Sequence, residues 1–197
     1  MNAYTETVLT PAGPYTFAVD DSGALLWARF DNGTYRPTDA EERALQSFTF
    51  REDPARTARA AEQLREYTAG HRRAFDLPVV LDGTPWQQTI WTALQRIPFG
   101  ETRTYAQLAE MVGRPTAVRA VGRANATNRI PLIIPCHRVI GASGSLTGFA
   151  GGPQLKAALL EHEARVASGQ PLSTDAPAST AVGPATGSDR AWQTRLI

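Results

Sequence analysis

The chain has 197 residues, 42% apolar and 20% charged, as in an ordinary soluble protein long enough for one domain or two small ones. No apolar run approaches the ~20 residues that span a bilayer, and the opening MNAYTETVLTPAGPYTF has no basic start before an apolar stretch; neither a membrane helix nor a secretory signal is expected, and the expected location is the cytoplasm. The net charge of +1 hides an asymmetry, −4 over residues 1–83 and +5 over residues 84–167, which hints at a half that faces nucleic acid.

Residues 5–9, 15–19 and 25–30 are short, apolar-alternating or aromatic runs separated by PAGP and DDSG. They predict a meander of three antiparallel strands. Asp53 as N-cap and Pro54 at the first position open a helix that runs through Ala61, Leu64 and Tyr67 to Gly70. Phe75, Leu77, Val79 and Leu81 then alternate in an extended connector. Thr84-Pro85-Trp86-Gln87 is a capping box, followed by Trp86, Ile90, Leu94 and Ile97 at helical spacing and a stop at Pro98. A second capping box, Thr104-Tyr105-Ala106-Gln107, starts a helix to about Val112. Gly113-Arg114-Pro115 turns the chain into a third helix, to Ala126. Two short helices about such a turn outline a helix-turn-helix.

Residues 130–134 read as an apolar strand entering Pro135-Cys136-His137-Arg138. A glycine-rich loop, 141–152, leads to a helix with Leu155, Ala158, Leu159 and His162 on one face. From Ser168 the Ser/Thr/Ala/Pro/Gly-rich sequence is expected to be a disordered tail. The expected fold is α/β (α+β): a β/α domain over residues 1–80, a mostly helical domain over 84–167, and the tail 168–197.

At 100° per residue, Ala117, Val121 and Ala124 share one face of the third helix, while Arg119, Gly122, Arg123 and Ala126 share the other. Two arginines among residues with almost no side chain are either a solvated face or a surface that lets a nucleic-acid backbone come close. Only Asn125 is available to read base edges, so shape-based, sequence-independent binding suits the helix better than major-groove readout.

Cys136 is the only cysteine. It excludes an intramolecular disulfide framework, and with His71, His137 and His162 at no metal-ligand spacing, no metal site is expected. A lone cysteine is a small buried hydrophobe or a reactive thiol. Here Pro135 restrains the backbone before it, and His137 could supply the base that a thiolate needs. On a strand the two side chains would point to opposite faces, so contact would need a bend or a bridging water.

Asn128, Pro131 and the run Ile134-Pro135-Cys136-His137-Arg138-Val139-Ile140 resemble the active-site signature of the O6-alkylguanine-DNA alkyltransferases, or methylated-DNA–protein-cysteine methyltransferases. Arg119-Ala120-Val121-Gly122 resembles their DNA-binding helix, and residues 98–105 the entry to their helix-turn-helix. The likeness continues through Gly151, Gly152 and Lys156 to Glu163. It implies direct reversal of O6-alkylguanine damage in double-stranded DNA, with O4-alkylthymine as a further substrate left open. The transfer is stoichiometric and needs no cofactor or metal. The chain is expected to be a monomer in solution, with cooperative binding on DNA left open.

The resemblance also implies roles. Cys136 would accept the alkyl group, His137 would deprotonate it through a water, and Glu163 would hold His137. Tyr105 would serve the departing base and Asn128 would fix the loop before the cysteine. Arg119 would fill the place of a flipped base, on a surface completed by Gly122, Arg123 and Ala126. Pro135, Val139, Phe149 and Ala150 would line the pocket. Phe149 stands where many members have Tyr, and Arg123 and Arg129 add charge that relatives often lack. A plain helix-turn-helix regulator, a lesion sensor without an acceptor and a cysteine hydrolase are the competing readings. The first leaves the Pro-Cys-His-Arg run unexplained, the second lacks a counterpart for Cys136, and the third usually has its Cys and His far apart in sequence.

Overall fold

Alternating apolar residues form the expected meander: β1 (Asn2–Thr10), β2 (Gly13–Val19) and β3 (Leu25–Phe30). β1 pairs antiparallel with β2 from Tyr4↔Val19 to Thr10↔Gly13, and β2 with β3 from Tyr15↔Phe30. The structure, a computed structural model, describes residues 1–31 and 46–172. Most of the tail expected from Ser168 lies outside the described residues. A fourth strand, β4 (Thr49–Arg51), lies parallel to β1 and completes the order β3-β2-β1-β4. Three residues are too few to leave an alternation in the sequence.

Helix α1 (Pro54–Thr68) starts where Asp53 accepts from the Ala55 amide. It lays Ala60, Ala61, Leu64 and Tyr67 against the sheet. The extended connector touches the sheet edge through a single bridge, Leu25↔Val79. Both capping boxes close as the sequence predicts, at Thr84 for α2 (Pro85–Leu94) and at Thr104 for α3 (Tyr105–Met111). Helix α4 (Val118–Ala126) packs across α2 and α3, and α5 (Gly152–Ala167) ends the described fold. A two-residue parallel pair, β5 (Arg103–Thr104) with β6 (Val139–Ile140), ties the start of α3 to the segment after the cysteine.

The stretch 130–134 is not a strand. Leu132 adopts a left-handed conformation, φ 76°, and turns the chain back so that the Ile134 amide donates to the Ile130 carbonyl at 2.9 Å. A leucine in that region costs ~1–2 kcal/mol. The loop holds it by burying Leu132 (1% exposed) and by using the Asn128 side chain twice, donating to the Ile134 carbonyl (2.8 Å) and accepting from the Ile130 amide (3.0 Å). Cys136 therefore sits not at a strand end but in a single 3-10 turn, Cys136–Arg138, with Pro135 as its cap.

One hydrophobic cluster runs through both halves of the chain and includes Tyr15, Leu64, Tyr67, Leu94, Leu132, Cys136 and Leu159. Hydrogen bonds cross the same boundary. The Tyr15 hydroxyl donates to the Pro131 carbonyl at 2.5 Å, and the Ala28 amide to the Arg129 carbonyl at 2.8 Å. No helix among the described residues is long and apolar enough to cross a membrane.

Candidate active site

The 3-10 turn supplies the bend that a strand could not. Cys136, His137 and Arg138 are consecutive and all buried, at 4%, 0% and 6% exposure. Cys136 faces a groove of about 1240 Å³ between the N-terminal sheet and the second half, where Ala28 and Phe30 meet Asn128, Pro131, Phe149 and Ala150. That volume is ample for a small organic group such as a nucleoside. Burial pushes the thiol up to about 11, against smaller opposing pulls from the Asn128 amide and the Lys156 ammonium. At neutral pH Cys136 is therefore a thiol rather than a thiolate, and it needs a base.

His137 and Glu163 lie behind the cysteine rather than along the groove. His137 Nε2 donates to Glu163 Oε1 at 2.9 Å. The direction follows from the other partners of that carboxylate. Arg138 donates to it from Nε (3.0 Å to Oε2) and Nη2 (2.9 Å to Oε1), the Tyr67 hydroxyl donates to Oε1 at 3.0 Å, and the Gly100 amide donates to Oε2 at 3.0 Å. Burial alone would raise the carboxyl, but His137 and Arg138 outweigh it and hold it at about 2. It is therefore ionised and can only accept, so Nε2 carries the proton and the lone pair of neutral His137 is on Nδ1. Nδ1 is buried and has no hydrogen-bond partner among the described residues. Burial also lowers the pKa of His137, against the pull of Glu163, which keeps the ring neutral and Nδ1 free to take a proton.

Of the other expected site residues, Pro135 caps the turn and is buried, and Val139 is fully buried, with its carbonyl taken by Lys156 Nζ. Lys156, the only lysine in the sequence, is itself buried and donates also to the Thr147 carbonyl at 3.0 Å. The Tyr105 hydroxyl, at the start of α3, donates to that same carbonyl at 3.0 Å, so α3 and α5 both hold the glycine-rich loop that carries Phe149 and Ala150. Burial raises the Tyr105 phenol, leaving it protonated.

The faces of α4 fall as the 100° projection predicts. Val121 and Ala124 are buried, while Arg119, Arg123 and Ala126 are exposed. Gly122 is half-buried, and a Cβ there would meet the Tyr105 ring at 3.8 Å. Arg119 and Arg123 do not reach the cysteine groove. They border a second, shallower recess of about 520 Å³ with Trp86 and Gln87 at the start of α2. Asn125, the side chain considered for base readout, is 1% exposed and lines the cysteine groove instead, with Oδ1 unpartnered among the described residues. The sequence reading missed Tyr67, which looked like a plain core residue of α1, and the place of Arg138 beside Glu163. A signal existed for Lys156: one lysine among nineteen arginines. Among the described residues no cluster of His, Cys, Asp and Glu is fit to hold a metal ion.

Residues 85–165 match the family model described as 6-O-methylguanine DNA methyltransferase, DNA binding domain. The constitutive methylated-DNA–protein-cysteine methyltransferase of Bacillus subtilis is 45% identical over 166 residues, covering 83% of this chain and 96% of the relative. The methylated-DNA–protein-cysteine methyltransferase of Mycobacterium bovis is 45% identical over 157 residues, 80% of this chain and 90% of its own. Among solved structures, Mycobacterium tuberculosis OGT in complex with DNA superposes with a TM-score of 0.71 at 41% identity, covering 83% of this chain and 94% of that one.

Proposed function

This chain belongs to the methylated-DNA–protein-cysteine methyltransferase family, and from that membership and the site geometry we infer that it repairs alkylated DNA by direct, single-use transfer of the alkyl group to Cys136. The observation that carries the assignment of the acceptor is the arrangement behind the thiol: a buried cysteine followed by a histidine whose Nε2 is tied to Glu163 and whose Nδ1 is unpartnered among the described residues. The substrate is O6-alkylguanine in duplex DNA. Its alkyl carbon lies inside the stack, so the base must be flipped into the groove, at a cost of a few kcal/mol.

The chemistry is a displacement at carbon. The Cys136 proton passes to His137 Nδ1 through a bridging water, and the Glu163 carboxylate stabilises the imidazolium. The sulfur lone pair forms the S–C bond as the C–O6 bond breaks, and the electron pair of that bond leaves with the guanine. Tyr105, a protonated phenol, turns its one O–H from the Thr147 carbonyl to a ring nitrogen of the departing base. The product is a thioether. No group in the site can displace it, so each molecule acts once. Arg119 and Arg123 supply phosphate and groove contacts on the close-approach face of α4 and make binding salt-dependent and weakly sequence-dependent. Arg119 takes the place of the flipped base.

The test is to incubate the protein with a duplex holding one O6-methylguanine and locate the methyl group by peptide mass. One methyl per molecule, on Cys136, is expected. Methyl on another residue, or many turnovers per molecule, would overturn the mechanism.

A further inference from the structure

Tyr67 reaches the site from the other half of the molecule. It sits near the end of α1, fully buried, 96 residues before the glutamate it touches. Its ring stacks on Phe75 (5.5 Å between centroids) and meets Phe99 edge-on (5.9 Å). Two consecutive residues of α5 grip it: His162 Nε2 lies 2.9 Å from the Tyr67 carbonyl, and Glu163 Oε1 accepts the hydroxyl at 3.0 Å. A buried phenol could have been a phenylalanine at this place in the core. Its hydroxyl goes to the same oxygen that accepts His137 Nε2.

We propose that Tyr67 is a positioning residue for the transfer: its hydroxyl fixes the Glu163 carboxylate and so holds His137 with Nε2–H toward Glu163 and Nδ1 as the basic nitrogen. Tyr67 touches neither thiol nor substrate, and the role rests on the reading of His137 as the base. The hydroxyl does two things. It pins Oε1 in the plane where Nε2 finds it, and it takes up part of the carboxylate's charge. Without it, more of that charge acts on the imidazole, and imidazolium forms at higher pH. The other groups near His137 and Glu163 are Arg138 in its own turn and Lys156 on α5, both opposing a positive ring, together with the Cys136 thiol and the buried His162. None of them changes in a Tyr67→Phe variant.

The experiment measures the second-order rate of methyl transfer from duplex O6-methylguanine between pH 5 and 9 for the wild type, Tyr67→Phe and His137→Gln. It also follows the histidine ring nitrogens of the wild type and Tyr67→Phe by NMR. Tyr67→Phe keeps the ring that packs on Phe75 and Phe99, so the fold is expected to persist. The acid limb of the rate profile, and the NMR midpoint of His137, should both move up by about one pH unit; because that midpoint starts below the ordinary histidine value, the rate at pH 7 should fall by no more than about threefold and the rate at the acid end by about tenfold. Loss of rate with an unmoved limb and midpoint would make Tyr67 a packing residue and sink the proposal. An acid limb that survives in His137→Gln would instead sink the reading of His137 as the base. NMR alone decides about Tyr67 if the variant proves too slow to assay.

Discussion

The pocket around Cys136 and the outer face of α4 are built on opposite rules. Behind the cysteine, charged and polar groups are buried and held in place by one another: Glu163 and His137 are at 0% exposure, and Glu163 accepts from His137, Arg138, Tyr67 and Gly100. On α4 the working surface is small residues and exposed arginines that make no hydrogen bond or ion pair among the described residues. Chemistry that moves a proton needs groups whose positions and tautomers are determined beforehand. A surface that meets a regular polyanion needs close approach and charge, which flexible arginines supply. The two regions meet at the end of α4, where Asn125 and Ala126 line the cysteine groove.

The largest effect that can break this contrast is Cys136→Ala. It should abolish transfer completely, yet leave binding to undamaged duplex and its salt dependence within about twofold, as followed by fluorescence anisotropy. A parallel loss of DNA binding would mean that the two regions are not separable. Next in size is Glu163→Gln. The Glu163 carboxyl is held at about 2 against an ordinary 4.5, so the unfolded chain binds its proton first as pH falls. Its contribution is present above about pH 4.5 and is lost between there and pH 2. The gap is worth about 3 kcal/mol. Urea unfolding at pH 7 should find Glu163→Gln less stable by that order, with the difference shrinking toward pH 3; a constant difference would contradict the linkage.

Arg119→Ala should be milder and selective. A contact that fills the place of an extruded base is worth ~1–3 kcal/mol, or about 5- to 150-fold in rate on duplex substrate. Free O6-benzylguanine needs no flipping and should react with Arg119→Ala at nearly the wild-type rate. Equal slowing on both substrates would move Arg119 from the DNA surface to the pocket. The smallest effect is none at all: chelator should leave melting temperature and transfer unchanged, since Cys136 is the one thiol and His137 and His162 are both engaged in hydrogen bonds. Activity lost to chelator and restored by zinc would reveal a metal.

What the sequence disclosed tracks the range of the forces involved. Capping boxes at Thr84 and Thr104, the Asp53 cap and the two faces of α4 are local, and each was legible from residues one to four apart. The turn at Cys136 was not, because Leu132 takes a left-handed conformation that no leucine announces. The structure stabilises it through Tyr15, 116 residues away from Pro131. Tyr67 and Arg138 were hidden for the same reason. Each has an ordinary local role, a core aromatic and a basic residue in a basic half, and only the docking of α1 and of the 3-10 turn against α5 makes them neighbours of Glu163. The resemblance to known alkyltransferases named Glu163 and His137 but carried no word of the phenol behind them.

The partners of Glu163 come from positions 67, 100, 137 and 138, so the carboxylate is a junction that closes only when distant parts of the chain have met. Contacts of such long sequence separation form late, after local helices and the meander. During synthesis Cys136 is an ordinary exposed thiol near its usual pKa of ~8.5, open to any electrophile in the cell. Once the junction closes, burial takes it to about 11 and places it behind a groove. A nucleophile that can be used only once is thus most vulnerable while the chain is young, and the rate at which its two halves dock sets how many molecules reach DNA with the thiol still unspent.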